Sequence, residues 1–282
     1  MTATTDRVSQ GITSGSIQTH YDLATPFYWL LWGSHIHHGY WEAEEAPETA
    51  QIRLIERMVS AAEIRPGMRV LDVGCGMGGT SIHLAKVLRC RVTGLTLSPL
   101  QRLWATASAW WQGVGERARF RRQDAERARF RDRQFDIVWS VECTEHLFDK
   151  AAFFRRAADW LKPGGRLSIC AWLAGDKPHA PAVARKVQEV CEGFLCPSLG
   201  TQQEYLSWFT QAGLEPVFTE DITAQVARTW EICLERVNRR RLHMLARWAG
   251  ADMRLFLDRF ATILDAYRTG AMKYGCFVAR KP

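Results

Sequence analysis

The chain has 282 residues, 47% of them hydrophobic and 24% charged, an ordinary balance for a globular protein large enough to bury a core without staples. Its net charge is +7, but the denser basic run, Arg117 to Arg133, is interleaved with Glu116, Asp124, Glu126, Asp132 and Asp136, and Arg239-Arg240-Arg241 is short, so solvated surface charge is expected rather than a nucleic-acid interface. The eight cysteines contain no C-x-x-C pair, which argues against a zinc ribbon or redox motif and for small apolar core residues in a reducing compartment. No segment approaches the roughly 18 apolar residues of a membrane span, and the start has no apolar signal region, so the expectation is a cytoplasmic protein.

In chain order, Met1 to Ser16 reads as a floppy tail. Residues 17–42 are rich in aromatics and histidine, without clean periodicity. Residues 47–63 put Ile52, Ile55, Met58 and Val59 on one helical face, and Arg65-Pro66-Gly67 breaks that helix. A strand follows at 68–73, a glycine-rich loop at 74–79 and a helix at 79–89. Arg91 to Thr96 reads as the second strand. Ser98-Pro99-Leu100-Gln101 opens a helix to about Gly113, with Ser98 as cap, Pro99 in the first turn and Gln101 three residues on. Arg119 to Arg122 and Phe135 to Val141 are the third and fourth strands, and a helix follows at 150–161. Pro163-Gly164-Gly165 reads as a turn and Arg166 to Trp172 as the fifth strand. Pro216 to Ile222 and Lys273 to Arg280 look like two closing strands. The stretch between them is mostly helical around Trp230 to Val237, Leu242 to Ala249 and Leu255 to Tyr267.

This alternation predicts an α/β fold with a doubly wound, mostly parallel sheet whose last strand is antiparallel. The expected organisation is an N-terminal lid over 1–45, a Rossmann-like core over 46–222 and 271–282, and an inserted helical cap over 223–270. In such sheets the ligand lies at the carboxyl ends of the strands.

Val70-Leu71-Asp72-Val73-Gly74-Cys75-Gly76-Met77-Gly78-Gly79 is the most informative stretch. Its glycines admit close approach of a ligand to bare backbone. The acid at the strand end would repel a phosphate and attract an ammonium, unlike a dinucleotide loop. Together with Gln123-Asp124-Ala125, Phe135 to Ser140 and Leu161-Lys162-Pro163-Gly164-Gly165-Arg166, the stretch resembles class I S-adenosylmethionine-dependent methyltransferases. The flanks narrow the resemblance. His20-Tyr21-Asp22, Trp32 to Trp41, Gly94 to Gln101 and Trp139 to His146 look like the γ-tocopherol C-methyltransferase-like small-molecule group. They look more weakly like sugar O-methyltransferases and cyclopropane fatty acid synthases.

The resemblance implies roles for particular residues. Asp72, Gly74 and Gly76 would hold the methionine end of S-adenosylmethionine, the alternative for Asp72 being a cap on the following turn. Many class I enzymes place a ribose-binding acid after the second strand. Here the position is Thr96-Leu97, with Gln101 as the implied helper or, alternatively, half of a capping box. Asp124 and Ala125 would meet adenine. Tyr21 would close over the methionine carboxylate, or plug the core. Asp136, at the far end of its strand, reads as structural. His146 is the candidate base because imidazole titrates near neutrality, though it would serve equally as a helix-start residue. Glu142, and after it Glu145, would orient His146 or touch the acceptor.

Trp32, His35, His38 and Tyr40 would line the acceptor pocket. His35, His37 and His38 do not have zinc-ligand spacing, so no metal is expected. The implied activity is methyl transfer to a small, partly hydrophobic acceptor, phenolic or otherwise aromatic by analogy. The alternatives are cyclopropane-synthase-like methylation of a lipid alkene, or a non-catalytic cofactor or nucleic-acid binder. The expected partner is a small molecule, and a homo-oligomer is compatible with the sequence.

Overall fold

A computed structural model describes residues 11–175, 181–239, 244 and 251–282. Leu242 to Ala249, expected to be helical, apart from Met244, and most of the Arg239–Arg241 run therefore lie outside the described residues. Seven strands form one sheet: β1 (Arg69–Val73), β2 (Arg91–Thr96), β3 (Ala118–Arg122), β4 (Phe135–Val141), β5 (Leu161–Ala174), β6 (Glu215–Asp221) and β7 (Met272–Arg280). Their order is β3-β2-β1-β4-β5-β7-β6. β1 to β5 pair in parallel, and β7 runs antiparallel to both β5 and β6. The strand order reverses between β1 and β4, so the crevice beyond their carboxyl ends is where this topology places a ligand.

The helices are α1 (Ser14–Trp32), α2 (Pro47–Ala61), α3 (Gly79–Val87), α4 (Pro99–Trp111), α5 (Lys150–Trp160), α6 (Pro181–Gly193), α7 (Gln202–Gln211), α8 (Thr223–Val226), α9 (Arg228–Arg239) and α10 (Ala251–Arg268). They cover both faces and build two apolar cores, one under α1, α2, α9 and α10 and one under α5 and α7.

Four local readings are corrected. The expected tail already becomes α1 at Ser14, where Thr13 caps the helix in a reciprocal box with Ser16. Its period was hidden because Ile17, Ala24, Tyr28 and Leu31 are buried on one face while Leu23 and Trp29 are exposed on the other. On α2 the buried stripe is Ala50, Gln51, Leu54, Ile55 and Met58, with Ile52 and Val59 half-buried beside it. β5 starts at Leu161 and carries the Pro163-Gly164-Gly165 turn as an irregularity in its register with β4. Between β5 and β6, α6 and α7 occupy a stretch to which the sequence assigned no element. α6 packs against α10 through Lys186–Asp265 and Arg259–Glu189.

Candidate active site

β1 delivers Asp72 to the sheet's carboxyl edge, where its carboxyl accepts the Ser81 hydroxyl at 2.5 Å. Asp72 is buried. Burial pushes its pKa up to about 6, and the Ser81 bond draws it down only in part.

The glycines that follow do two different jobs. A Cβ on Gly74 (φ +78°) would lie 2.3 Å from the Cβ of Cys143, and one on Gly79 would lie 2.3 Å from the Ser34 carbonyl oxygen. Those two make room for protein: the tip of β4 and the segment after α1. At Gly76 (φ +52°) the nearest atom to a Cβ is Ile36 Cδ1 at 3.9 Å, so the space over it is open. Gly74→Ala is accordingly expected to lower the thermal midpoint, by overpacking plus left-handed strain of about 2–4 kcal/mol. Gly76→Ala is expected to cost about 1 kcal/mol of stability and to act mainly on ligand binding. Thermal melts with and without ligand separate the two.

Beside Asp72 lies a small cavity lined by His35, His37, Gly76 and Gly79 among others. Both imidazoles are buried, and His35 Nδ1 and His37 Nε2 have no hydrogen-bond partner. Burial lowers both pKa values, that of His35 to about 3.

At the tip of β2 the Thr96 hydroxyl donates to Gln101 Oε1 at 2.9 Å and accepts the Ser98 N–H at 3.2 Å. Ser98 Oγ caps the Gln101 N–H at 3.0 Å, but the Gln101 side chain does not return to the Ser98 backbone. The capping-box explanation of Gln101 therefore fails. Its Nε2 is instead a buried donor without a partner, in a residue that lines the main chamber. Further along the edge, Asp124 accepts the Glu126 N–H at 2.8 Å and the Ser14 hydroxyl at 3.3 Å. Asp124, Ala125, Leu97 and Thr96 line a third cavity. The three cavities share Gly74 and form one continuous crevice along the strand tips.

The main chamber, counted with its open mouth, spans about 890 Å³ of unfilled space. Tyr21, Tyr28 and Trp32 of α1, Trp172 of β5, Phe194 after α6 and Trp230 of α9 form its aromatic walls. Of the four residues expected to line an acceptor pocket, Trp32 lines this chamber. His35 belongs to the cavity beside Asp72. Tyr40 faces an outer cleft, where the Arg57 guanidinium lies 4.8 Å from its ring centroid. His38 is fully buried, and its Nδ1 and backbone N–H meet Glu142 Oε1 at 2.9 and 2.7 Å.

Tyr274 donates to the same Glu142 oxygen at 2.8 Å. Glu142 thus ties the segment after α1 to the sheet, at the backbone cost of φ +52°. Burial raises its pKa, but the charge and hydrogen bonds of His38 outweigh that, and the net shift is downward. Glu145 behaves oppositely. Burial pushes it up to about 8 against the bond from the Trp172 N–H at 2.5 Å, and Oε2 has no partner.

His146 and Tyr21 meet. His146 Nδ1 lies 3.1 Å from the Leu195 carbonyl and Nε2 lies 2.7 Å from the Tyr21 hydroxyl. A carbonyl only accepts, so Nδ1 carries the proton and Nε2 accepts from Tyr21. Burial lowers the His146 pKa to about 4, away from the neutral range expected of it. Tyr21, expected at the methionine carboxylate, donates its hydroxyl to His146 and lines the main chamber. Among the described residues no group of three or more histidine, cysteine or acidic side chains is arranged to hold a metal ion. None of the described helices is long and apolar enough to cross a membrane.

The pattern defining the mycolic acid cyclopropane synthetases matches residues 9–273. The chain belongs to this family. It is 34% identical over 272 residues to 27-O-demethylrifamycin SV methyltransferase of Amycolatopsis mediterranei (strain S699), covering 96% of this chain and 98% of that one. It is 30% identical over 278 residues to a probable chloroplastic tocopherol O-methyltransferase of Oryza sativa subsp. japonica, covering 93% and 76%. Its fold matches that of the mycolic acid cyclopropane synthase CmaA1 complexed with SAH and CTAB, with a TM-score of 0.86 at 20% identity over 95% of this chain and 98% of that one. It also matches the [4+2]-cyclase SpnF, with a TM-score of 0.83 at 24% identity over 96% of both. The cyclopropane synthetase family is S-adenosylmethionine-dependent, and this member is a methyltransferase with that cofactor.

The donor set fits the cofactor. A buried acid, two unpartnered imidazole nitrogens, open backbone at Gly76 and an unpartnered amide donor follow one another along the crevice. The sequence did not single out Trp172, Phe194 or Trp230 as walls of the chamber, nor the pairing of His146 with Tyr21. Aromatic residues at helical or strand spacing look the same whether they fill a core or line a cavity.

Proposed function

We propose that this member methylates a hydroxyl oxygen of a small, largely apolar aromatic acceptor bound in the chamber. The observation that carries the reading is the Tyr21–His146 pair in a wall of otherwise aromatic rings. The rings suit a flat apolar acceptor, and a pair able to accept a proton supports an acceptor hydroxyl that must lose one. The cofactor supplies an electrophilic methyl group and leaves as S-adenosylhomocysteine.

The chain's own residues do the rest. Asp124 and Ala125 receive adenine, Thr96, Leu97 and Gln101 the ribose, and Asp72 the ammonium. The orphaned His35 Nδ1 would meet the cofactor carboxylate in place of Tyr21, whereas His37 donates Nδ1 to the His38 carbonyl, so its orphaned Nε2 would only accept, as from a bound water. The Tyr21 oxygen takes the acceptor's proton while its own passes to His146 Nε2, and the Leu195 carbonyl holds the imidazole in the accepting tautomer. Glu142 positions the segment after α1 through His38. The described residues of 1–45 act as lid, and those of 223–270 together with α6 as cap, and between them they exclude water.

The test is incubation with methyl-labelled cofactor and a panel of phenols, hydroquinones, amines, sugars and unsaturated lipids, with the label located by mass spectrometry. Label on a phenolic or hydroquinone oxygen is expected. Label confined to former alkene carbons would replace this reading with the cyclopropane-synthase one.

A further inference from the structure

The main chamber is walled by rings, yet it carries a charge. Among the described residues no lysine or arginine lines it, although the chain as a whole is basic at +7. Of its ionisable lining groups, burial holds Glu145 protonated up to about pH 8 and His146 neutral down to about pH 4. That leaves Glu142 as the full charge in the lining at neutral pH.

Glu142 uses its two oxygens differently. The His38 backbone N–H, the His38 Nδ1–H and the Tyr274 hydroxyl all donate to Oε1. Burial by itself would raise the pKa, but these bonds and the nearness of His38 hold the group as a carboxylate. No hydrogen bond from a described residue falls on Oε2. The side chain keeps 11% of its surface accessible, and the chamber is the cavity it lines. No lysine or arginine among the described residues pairs with it. Its basic neighbour is His38, whose Nε2 lies 3.4 Å from the Tyr267 hydroxyl. A hydroxyl donating there leaves the imidazole one proton, on Nδ1, and no charge. A carboxylate withdrawn from water without a cation beside it is costly until a ligand brings one.

The rings around it suit the same ligand. The His38 ring packs edge-on against Trp172 and Trp230, with centroids at 5.9 and 5.2 Å, which sets both indoles beside the carboxylate. Trp172, Phe194 and Trp230 meet one another at 71–84° and form a three-ring corner of the chamber. Ring faces attract cations, those of tryptophan most strongly, and aromatic cages hold ammonium groups in this way.

We propose that the acceptor carries a cationic nitrogen, held by Glu142 Oε2 against the Trp172–Phe194–Trp230 corner. The inference rests on the reading of an aromatic acceptor methylated on oxygen and adds a second determinant to it. The hydroxyl goes to Tyr21 and His146, and the charge goes to Glu142. The nitrogen is a binding group, distinct from the methylated atom. The cofactor's sulfonium is the other cation that enters the crevice, and the experiment separates the two.

Two phenols serve as probes, one with a para trimethylammonioethyl chain and one in which carbon replaces the nitrogen. They share a shape, and the quaternary nitrogen cannot be methylated. Each is titrated by calorimetry into the protein saturated with S-adenosylhomocysteine, so no methyl transfer is needed. The parent is expected to bind the cation about tenfold or more tightly than the neutral isostere. Glu142→Gln retains an oxygen for His38 and Tyr274, and is expected to bring the two phenols within about twofold of each other. Equal or tighter binding of the isostere by the parent overturns the proposal, and that measurement needs no variant. A variant that keeps the parent's preference overturns it as well. So does a variant that weakens S-adenosylmethionine but not S-adenosylhomocysteine while the phenol preference persists, because the carboxylate then serves the sulfonium. Label found on an atom other than oxygen would revise the proposed transfer and leave the cation site standing, whereas equal binding of the two phenols would do the reverse.

Discussion

The Tyr21→Phe variant is expected to bind S-adenosylhomocysteine within about threefold of the parent and to lose about 10²-fold in kcat. The reason is geometric. The hydroxyl removed is 2.7 Å from His146 Nε2 and absent from the cavity lining beside Asp72. His146→Gln should show a loss of the same size, because glutamine can still reach the Leu195 carbonyl but offers no ring nitrogen to Tyr21. The double variant should be little worse than either single one, as expected for two groups that act as a unit. A Tyr21→Phe enzyme with intact kcat and weakened cofactor binding would return the hydroxyl to the methionine carboxylate. The pH profile adds a second check. Burial holds His146 neutral down to about pH 4, so kcat should show no fall at the usual imidazole value of about 6.5.

Asp72→Asn is expected to weaken S-adenosylhomocysteine binding by about 2–3 kcal/mol, roughly 30- to 150-fold in Kd, while making the ligand-free protein more stable. Burial raises the Asp72 pKa to about 6. An acid whose folded pKa is raised contributes its relative stability below the unfolded value near 4, and loses it as pH rises through 6. At neutral pH the free carboxylate is therefore a cost of up to about 3 kcal/mol, which asparagine removes. Only the ionised form pairs with the cofactor's ammonium. The parent's affinity should accordingly fall as pH drops through about 6, and the variant's should stay flat across that range. Calorimetry from pH 5 to 8 with thermal melts of both proteins tests the pair of claims. A variant that binds as tightly as the parent would leave Asp72 as a mere partner of Ser81.

Much of the fold and of the cofactor crevice was legible because it is written locally. β1, β2 and β4 are short apolar runs ended by turn residues, and Asp72, Thr96 and Asp124 sit at or just beyond strand ends, where a parallel sheet must place them at one edge. α1 was not legible, because its outward Leu23 and Trp29 erase the contrast on which periodicity depends. Gln101 shows the intermediate case. Its place after Ser98 allowed a cap or a ligand contact, and only the bond to Thr96 and the orphaned Nε2 separate the two. The cluster of His35, His37 and His38 was visible, but its disposition was not. Three neighbours along the chain point to three environments: the cavity by Asp72, the bond to the His38 carbonyl and the carboxylate of Glu142.

By itself the sequence determined the doubly wound sheet, the acid-ended glycine loop and, through these, the sulfonium cofactor. Those features depend on residues within a few positions of one another. Tertiary structure alone decided what surrounds the reaction. Tyr21 reaches His146 across 125 positions, and the chamber's walls come from α1, β5, the segment after α6 and α9. Burial then moved the charges, raising Asp72 and Glu145, lowering His146, and leaving Glu142 ionised only because His38 folds onto it. Desolvation depends on what surrounds a group in space, and a linear pattern carries no record of that.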